Sequence, residues 1–235
     1  MKKLIITAAA ATMAFGFVAK AQTNLQIFYD FAEDRQCVTT TLEGYYGDNW
    51  GDTFFFIDYD FNAKTNQTPG SRGSYFEIAR GLNFWKESAL KDLSLHAELN
   101  AGVNFGNLNW LFGFNYLIHN ADYSNTLTLE LMGKTFKGSS SDCPLQFTVV
   151  WGLQDIFGCK GLRFSGFADF WGENGYLGSA GDKFVFISEP QLWYNIGQHM
   201  GVDNLNIGGE VELSANFAGV HGFRARPCLG VKWIF

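Results

Sequence analysis

Four short segments of this sequence set a carboxylate two residues from an aromatic ring. They are Glu43 and Tyr45, Phe54 and Phe56 with Asp58, Tyr75 and Glu77, and Asp169 and Trp171. In an extended chain, residues two apart point to the same side. Each segment would therefore present a flat ring beside an acceptor for hydroxyl hydrogens, which is the chemistry of non-covalent recognition. A nucleoside, a flat base joined to a sugar, offers both matching features. Rings that merely fill an interior would look the same from sequence, and both readings stand at this point. Arg224 completes the set of candidate binding residues as a cation on the same kind of face. No serine, histidine and acid lie in a pattern that would make a nucleophile, and no CxxC or His/Cys spacing suggests a metal. Neither a catalytic residue nor a cofactor is expected.

Strands must position these groups, and the clearest strand closes the chain. Phe223, Ala225, Pro227, Leu229, Val231, Trp233 and Phe235 form one alternating set, all apolar, while Arg224, Arg226 and Lys232 stand in the other. Such alternation marks an amphipathic strand. An apolar set ending on an aromatic residue resembles the terminal signal by which outer-membrane barrels are recognised by their assembly machinery. An ordinary sandwich strand would fit this stretch alone equally well.

At the other end, Lys2 and Lys3 precede an apolar run from Leu4 to Val18 and the small-residue pattern Ala19-Lys20-Ala21. This reads as a secretory signal cleaved after Ala21, leaving a single domain over residues 22–235. Without Lys2, Lys3 and Lys20, 14 Lys plus Arg face 23 Asp plus Glu, a net charge of -9. An acidic exported chain is a poor partner for nucleic acid. The 17% aromatic content and 27 glycines against 4 prolines suit lipid-facing strands, interfacial ring girdles and tight turns.

After Ala21 no apolar run is long enough for a spanning helix. Alternation recurs instead in segments of roughly ten residues, the length a tilted strand needs to cross a bilayer. Twelve can be drawn, starting near Leu25, Gln36, Thr53, Ser74, Leu93, Leu108, Thr126, Leu145, Leu162, Phe184, Leu205 and Gly222. The fold expected is all-β: a transmembrane antiparallel up-and-down barrel of 12 strands, monomeric, in the outer membrane of a Gram-negative bacterium. An even number puts both termini on one side. The connections Asn62 to Gly73 and Gly172 to Lys183 then become long outer loops, Ala32 to Arg35 a short one, and Gly47 to Asp52 an inner turn.

If Phe235 faces lipid, Glu43, Asp58, Asp60, Glu77, Glu98, Glu130, Asp169, Glu189, Glu210 and Glu212 face inward, with Lys134, Arg163, Arg224, Arg226 and Lys232. That lumen would be biased against anions, unless the charges pair off and plug it. Arg80 falls on the lipid-facing set, so it either snorkels at the interface or marks a slipped register. Pro190 and Pro227 lie inside strands, where bulges or register shifts are expected. No disulfide is expected, since Cys143 and Cys159 fall at opposite ends of one strand.

Val38-Thr39-Thr40-Thr41-Leu42-Glu43-Gly44-Tyr45-Tyr46, then Trp50 to Asp58 and Ser74-Tyr75-Phe76-Glu77-Ile78, resemble the front half of the Tsx-like nucleoside-specific outer-membrane channels. Leu162 to Gly172 and the closing Val231-Lys232-Trp233-Ile234-Phe235 look similar too. The resemblance implies a twelve-stranded monomeric barrel passing nucleosides by diffusion, and it transfers no individual ligand residue. Two other classes remain open on the residues: a lipid hydrolase, for which His96 and Ser165 are inward candidates, and a closed structural or adhesive barrel.

Overall fold

A computed structural model describes residues 22–62, 70–103, 108–175 and 183–235. The expected signal segment, and much of the loops around Asn62–Gly73 and Gly172–Lys183, lie outside the described residues. Twelve long strands are formed among those described: β1 (Gln22–Asp30), β2 (Cys37–Asp48), β3 (Gly51–Asn62), β4 (Ser71–Leu82), β5 (Leu93–Val103) and β6 (Asn109–His119). The second half comprises β7 (Asn125–Lys134), β8 (Leu145–Gln154), β9 (Leu162–Trp171), β10 in two pieces (Val185–Ser188 and Gln191–Tyr194), β11 (Leu205–Ala215) and β12 (Phe223–Ile234). Each pairs antiparallel with its sequence neighbour, and β1 pairs with β12 from Asn24↔Ile234 to Asp30↔Cys228. The sheet is thus a closed transmembrane barrel with no free edge, and both ends of the described chain lie on one rim, where Phe235 N–H donates to Thr23 O at 2.9 Å. That rim is called the terminal end below, and the opposite rim the far end.

The barrel is inside-out relative to a water-soluble core. Among the described residues twenty polar or charged side chains are buried against ten apolar ones, while Ile27, Ile57, Ile78, Phe112, Phe114, Leu131, Phe147, Ile207 and Val231 are exposed on the outside. Alternation causes this directly. Leu25, Ile27 and Tyr29 turn out while Asn24, Gln26, Phe28 and Asp30 turn in, and only hydrocarbon makes such an exterior stable.

Arg80 does lie on the outer face. It snorkels to the terminal rim, donating to Thr53 Oγ1 at 2.9 Å and pairing with Asp48 at 2.8 Å, and the β3–β4 register there is unbroken. The Asp48–Gly51 connection is a tight turn, as expected, and lies at the terminal end, with Asp48 Oδ1 accepting from Trp50 N–H and Gly51 N–H. A bulge not expected from the sequence occurs opposite Asp60/Phe61, where Arg72 of β4 is the extra residue between Ser71 and Gly73. At Pro190, β10 breaks in two, although both pieces keep one register against β9 and β11.

Pro227 corrects the sequence expectation, for Val211↔Pro227 sits in an uninterrupted β11–β12 ladder. Its carbonyl accepts from Phe31 N–H at 3.0 Å, on the β1 side. In an antiparallel strand the N and O of one residue point the same way. The missing donor therefore faces Phe31 O, just past the end of β1, so the proline removes only one bond at the end of the β1–β12 ladder. The terminal-end connections are not uniformly short either: 83–92 and 195–204 are substantial loops. In the first, Trp85 Nε1 donates to Leu93 O at 2.8 Å, which ties the loop to the barrel.

One row across four strands shows how the interior is filled. Trp193 of β10, Gly208 of β11, Gly230 of β12 and Phe28 of β1 lie side by side. With two glycines between them, the Phe28 and Trp193 rings meet at 5.5 Å, and Lys232 Nζ sits 4.2 Å over Trp193. A Cβ at Gly208 would lie 2.1 Å from Leu192 O and 2.8 Å from the Trp193 ring. Gly208→Val is therefore expected to destabilise the barrel by about 1–3 kcal/mol, read as a lower temperature for the heat-dependent band shift on gels.

Candidate functional site

The inner wall carries every residue of the sequence-derived binding set, but in three separate places. The first is the sector β2–β4. Register brings Glu43 beside Phe56, Tyr45 beside Phe54, Thr41 beside Asp58, and Asp58 beside Tyr75. Phe54 and Phe56 have ring centroids 6.1 Å apart, and Phe56 and Tyr75 5.9 Å apart, so three rings make a tilted staircase on one wall. Acids flank it: Tyr75 Oη donates to Glu77 at 2.6 Å, Thr41 Oγ1 to Asp58 at 2.6 Å, and Asn24 Nδ2 to Glu43 at 2.8 Å. Hydroxyls and an amide hold these carboxylates, and each acid keeps further acceptor capacity.

Asp169 and Trp171 of β9 form the second place. Asp169 accepts from Thr148 Oγ1 at 2.6 Å. Trp171 is already engaged: it packs with Val185 and Ile187, Lys134 Nζ stands 3.7 Å over its ring, Phe217 meets it edge-on, and its Nε1 donates to Glu173 at 2.7 Å. Its faces are occupied by the protein's own groups, so it fills the barrel rather than offering a platform. Arg224 is the third, exposed at the far end, where its guanidinium donates to Phe223 O at 2.8 Å. It does not join the rings.

Two groupings escaped the sequence reading. At the far end, the turn between β1 and β2 folds onto the lumen wall. Arg35 pairs with Glu212 of β11 and with Asp30 at 3.5 Å. Arg226 of β12 pairs with Glu212 and, at 2.7 Å, with Asp34. Ser214 Oγ donates to Glu212 at 2.8 Å, and Arg72 of β4 donates to Arg35 O at 3.2 Å. The adjacent pair Asp34-Arg35, set in a turn opposite inward Glu212 and Arg226, was the available signal; turns are usually read only for their polarity. Near the terminal end, His96 and Glu98 of β5 meet Glu130 of β7, with His96 Nε2 at 2.9 Å from Glu98 Oε2.

Ion pairing divides the lumen. Among the described residues, inward acids joined to arginine or lysine at ion-pair distance cluster at the far-end turn, whereas Asp58, Glu77, Asp169 and Glu210 have hydroxyl or amide donors. His96 is four strands round the barrel from Ser165, which stands between Gly152 and Gln191. These two residues, the candidates for a nucleophile and its base, are therefore not brought together.

Residues 22–235 match the family described as Domain of unknown function (DUF5020). No curated protein matches the sequence. Among solved structures, the NanC porin superposes with a TM-score of 0.57 at 9% identity, over 90% of this chain and 98% of that one, which shows the shared barrel fold. The Acinetobacter baumannii outer membrane protein Omp33 reaches 0.43 at 12% identity, over 92% of this chain and 98% of its own. OpdK of Pseudomonas aeruginosa reaches 0.41 at 10%, over 92% and 99%.

The far-end turn gives a pH dependence of known sign. The hydrogen bonds from Arg226, helped by the charges of Arg226 and Arg35, hold the Asp34 carboxyl below its ordinary value of 3.8. A lowered carboxylate contributes stability that is complete above the ordinary value and is lost as pH falls through the lower one. Wild type is expected to exceed Asp34→Asn in thermal midpoint near neutral pH, with the gap closing below pH 3.8. Half-exposed Asp34 is screened by water, so the gap is small.

Proposed function

We propose that this chain, which belongs to the DUF5020 family, is a passive outer-membrane channel for small polar solutes, with nucleosides as the preferred class. It is exported with removal of residues 1–21, inserts through the barrel-assembly machinery by its terminal strand, and works as a monomer. Removal of the leader fits a family match that begins at residue 22.

The observation that carries this reading is the mid-lumen belt of carboxylates held by hydroxyls and amides beside the rings of Phe54, Phe56 and Tyr75. A dry interior would hold acids without cations only in the protonated form, because an ionised carboxylate out of water costs several kcal/mol. A hydrated passage satisfies them and makes the interior attractive to cations and to hydroxyl-bearing solutes. The preference for nucleosides rests on the ring staircase and on the Tsx-like segments, which include Tyr45, Phe54 and Asp58. Charge pairs that plug the barrel would need partners along its whole length, and those described concentrate around one turn. A hydrolase reading has no support in the separation of His96 from Ser165.

Planar-bilayer recording of refolded protein tests the proposal. Cation-preferring steps are expected, and adenosine should reduce them while a sugar of similar size does so weakly. Phe56→Ala should weaken the adenosine block at least about fivefold, the equivalent of roughly 1 kcal/mol of ring stacking. Asp58→Asn should lower the cation preference. Equal block by both solutes would leave a general pore, and folded protein that gives no steps would end the channel reading.

A further inference from the structure

The trio His96, Glu98 and Glu130 does not belong to the ring sector. Its three ligand-capable atoms lie within 4.8 Å of one another, and all three side chains are buried on the inner wall. The backbone explains the convergence. His96 and Glu98 are two apart on β5 and share its inward face. The ladder neighbour of His96 on β6 is Gly113, which has no side chain to stand between β5 and β7. A Cβ at Gly113 would meet Leu131 O at 2.0 Å, so β6 and β7 also approach closely there. Glu130 enters from β7 beside Asn115.

Charge at this spot is mostly negative, with Lys134 of β7 acting on Glu98 from beyond ion-pair distance. Among the described residues no lysine or arginine pairs with Glu98 or Glu130. Asp52 and Asp169 add their negative potential to that of the trio. On the neighbouring strand, Asp52 leans over Gly81, whose Cβ would come within 2.7 Å of Asp52 Oδ2, in the row that continues to His96. Asn115 Nδ2 lies 3.4 Å from His96 Nδ1. With that amide turned to present Oδ1, it would accept from Nδ1–H, the outer bond of metal-bound histidines, and leave the Nε2 lone pair to face the two carboxylates.

We propose that His96, Glu98 and Glu130 form a lumenal site for a divalent transition-metal ion, bound through His96 Nε2 and one oxygen from each glutamate. One imidazole and two carboxylates suit zinc, at bonds of about 2.0–2.2 Å, with the remaining position open to water. Ligand atoms round a tetrahedral ion stand about 3.3 Å apart, so the side chains must draw in from the present spread of up to 4.8 Å to close on the ion. Calcium and magnesium prefer all-oxygen sites and should compete poorly. The bound cation would neutralise the local carboxylates and stand in the solute's path.

The test is zinc titration of refolded protein in detergent, by calorimetry and by competition with a chromophoric chelator near neutral pH. Wild type is expected to take one zinc per chain and to keep it in excess calcium. His96→Gln and Glu130→Gln should each lose at least about tenfold in affinity, since even a group that only orients a ligand is worth that much. His199→Gln, on the exposed terminal-end loop, should bind as wild type does. The heat-dependent band shift identifies folded protein, and Glu98→Gln gives a second variant if one fails to fold. Wild type that takes no zinc, or His96→Gln and Glu130→Gln that bind it unchanged, would overturn the site. The readout is stoichiometry and affinity, so it stands apart from conductance: zinc could bind to a barrel that passes no current, and a conducting barrel could fail to bind it.

Discussion

Everything in this molecule depends on the seam between β1 and β12. In hydrocarbon each unpaired backbone N–H or C=O costs several kcal/mol, so a spanning sheet must bond its last strand to its first. Here that bond runs from Asn24↔Ile234 to Asp30↔Cys228. Once the ring is closed, the two-residue period leaves each side chain a choice of only two directions, lipid or lumen. The chemical character of the interior is then a consequence of pleating. Glu43, Asp58, Glu77, Asp169 and Glu210 gather around one axis because each occupies an inward position of its own strand.

The interior is graded by what fills it. Where glycines occur in a row, as at Gly208 and Gly230, the large Phe28 and Trp193 side chains meet across two strands and Lys232 lies on the ring. Where threonines line a strand, and at Gln191, single hydrogen bonds hold the acids. Where a turn brings its own arginine, the acids are paired outright. The same inventory of charges therefore has three different electrostatic outcomes along and around one barrel.

Much of this was legible in the sequence because alternation is a local property. The strand starts, the inward acids and bases, the snorkelling Arg80 and the tight turn at Asp48 all follow from neighbours one or two residues away. What was hidden depends on partners across strands. Pro227 looks disruptive until the end of β1 is seen beside it. Trp171 looks like a free platform until Lys134 and Phe217 are found on its faces. His96 and Glu130 are 34 positions apart, and only the glycine at 113 lets them converge, so a search for neighbouring ligands passes over them. Asp34 and Arg35 look like ordinary turn residues because nothing nearby tells that the turn bends inward.

The turn that carries Asp34 and Arg35 also makes the two mouths of the barrel unlike. At the far end the acids are matched by guanidinium groups, while farther in the carboxylates meet chiefly neutral donors. Along the barrel axis the described fixed charge thus passes from a compensated turn to an interior of acids with neutral partners. Fixed charge distributed in this way along a narrow path is what makes a conductor rectify. In a conducting barrel, that asymmetry would make currents of opposite direction unequal, in the sense set by which rim holds the arginine turn.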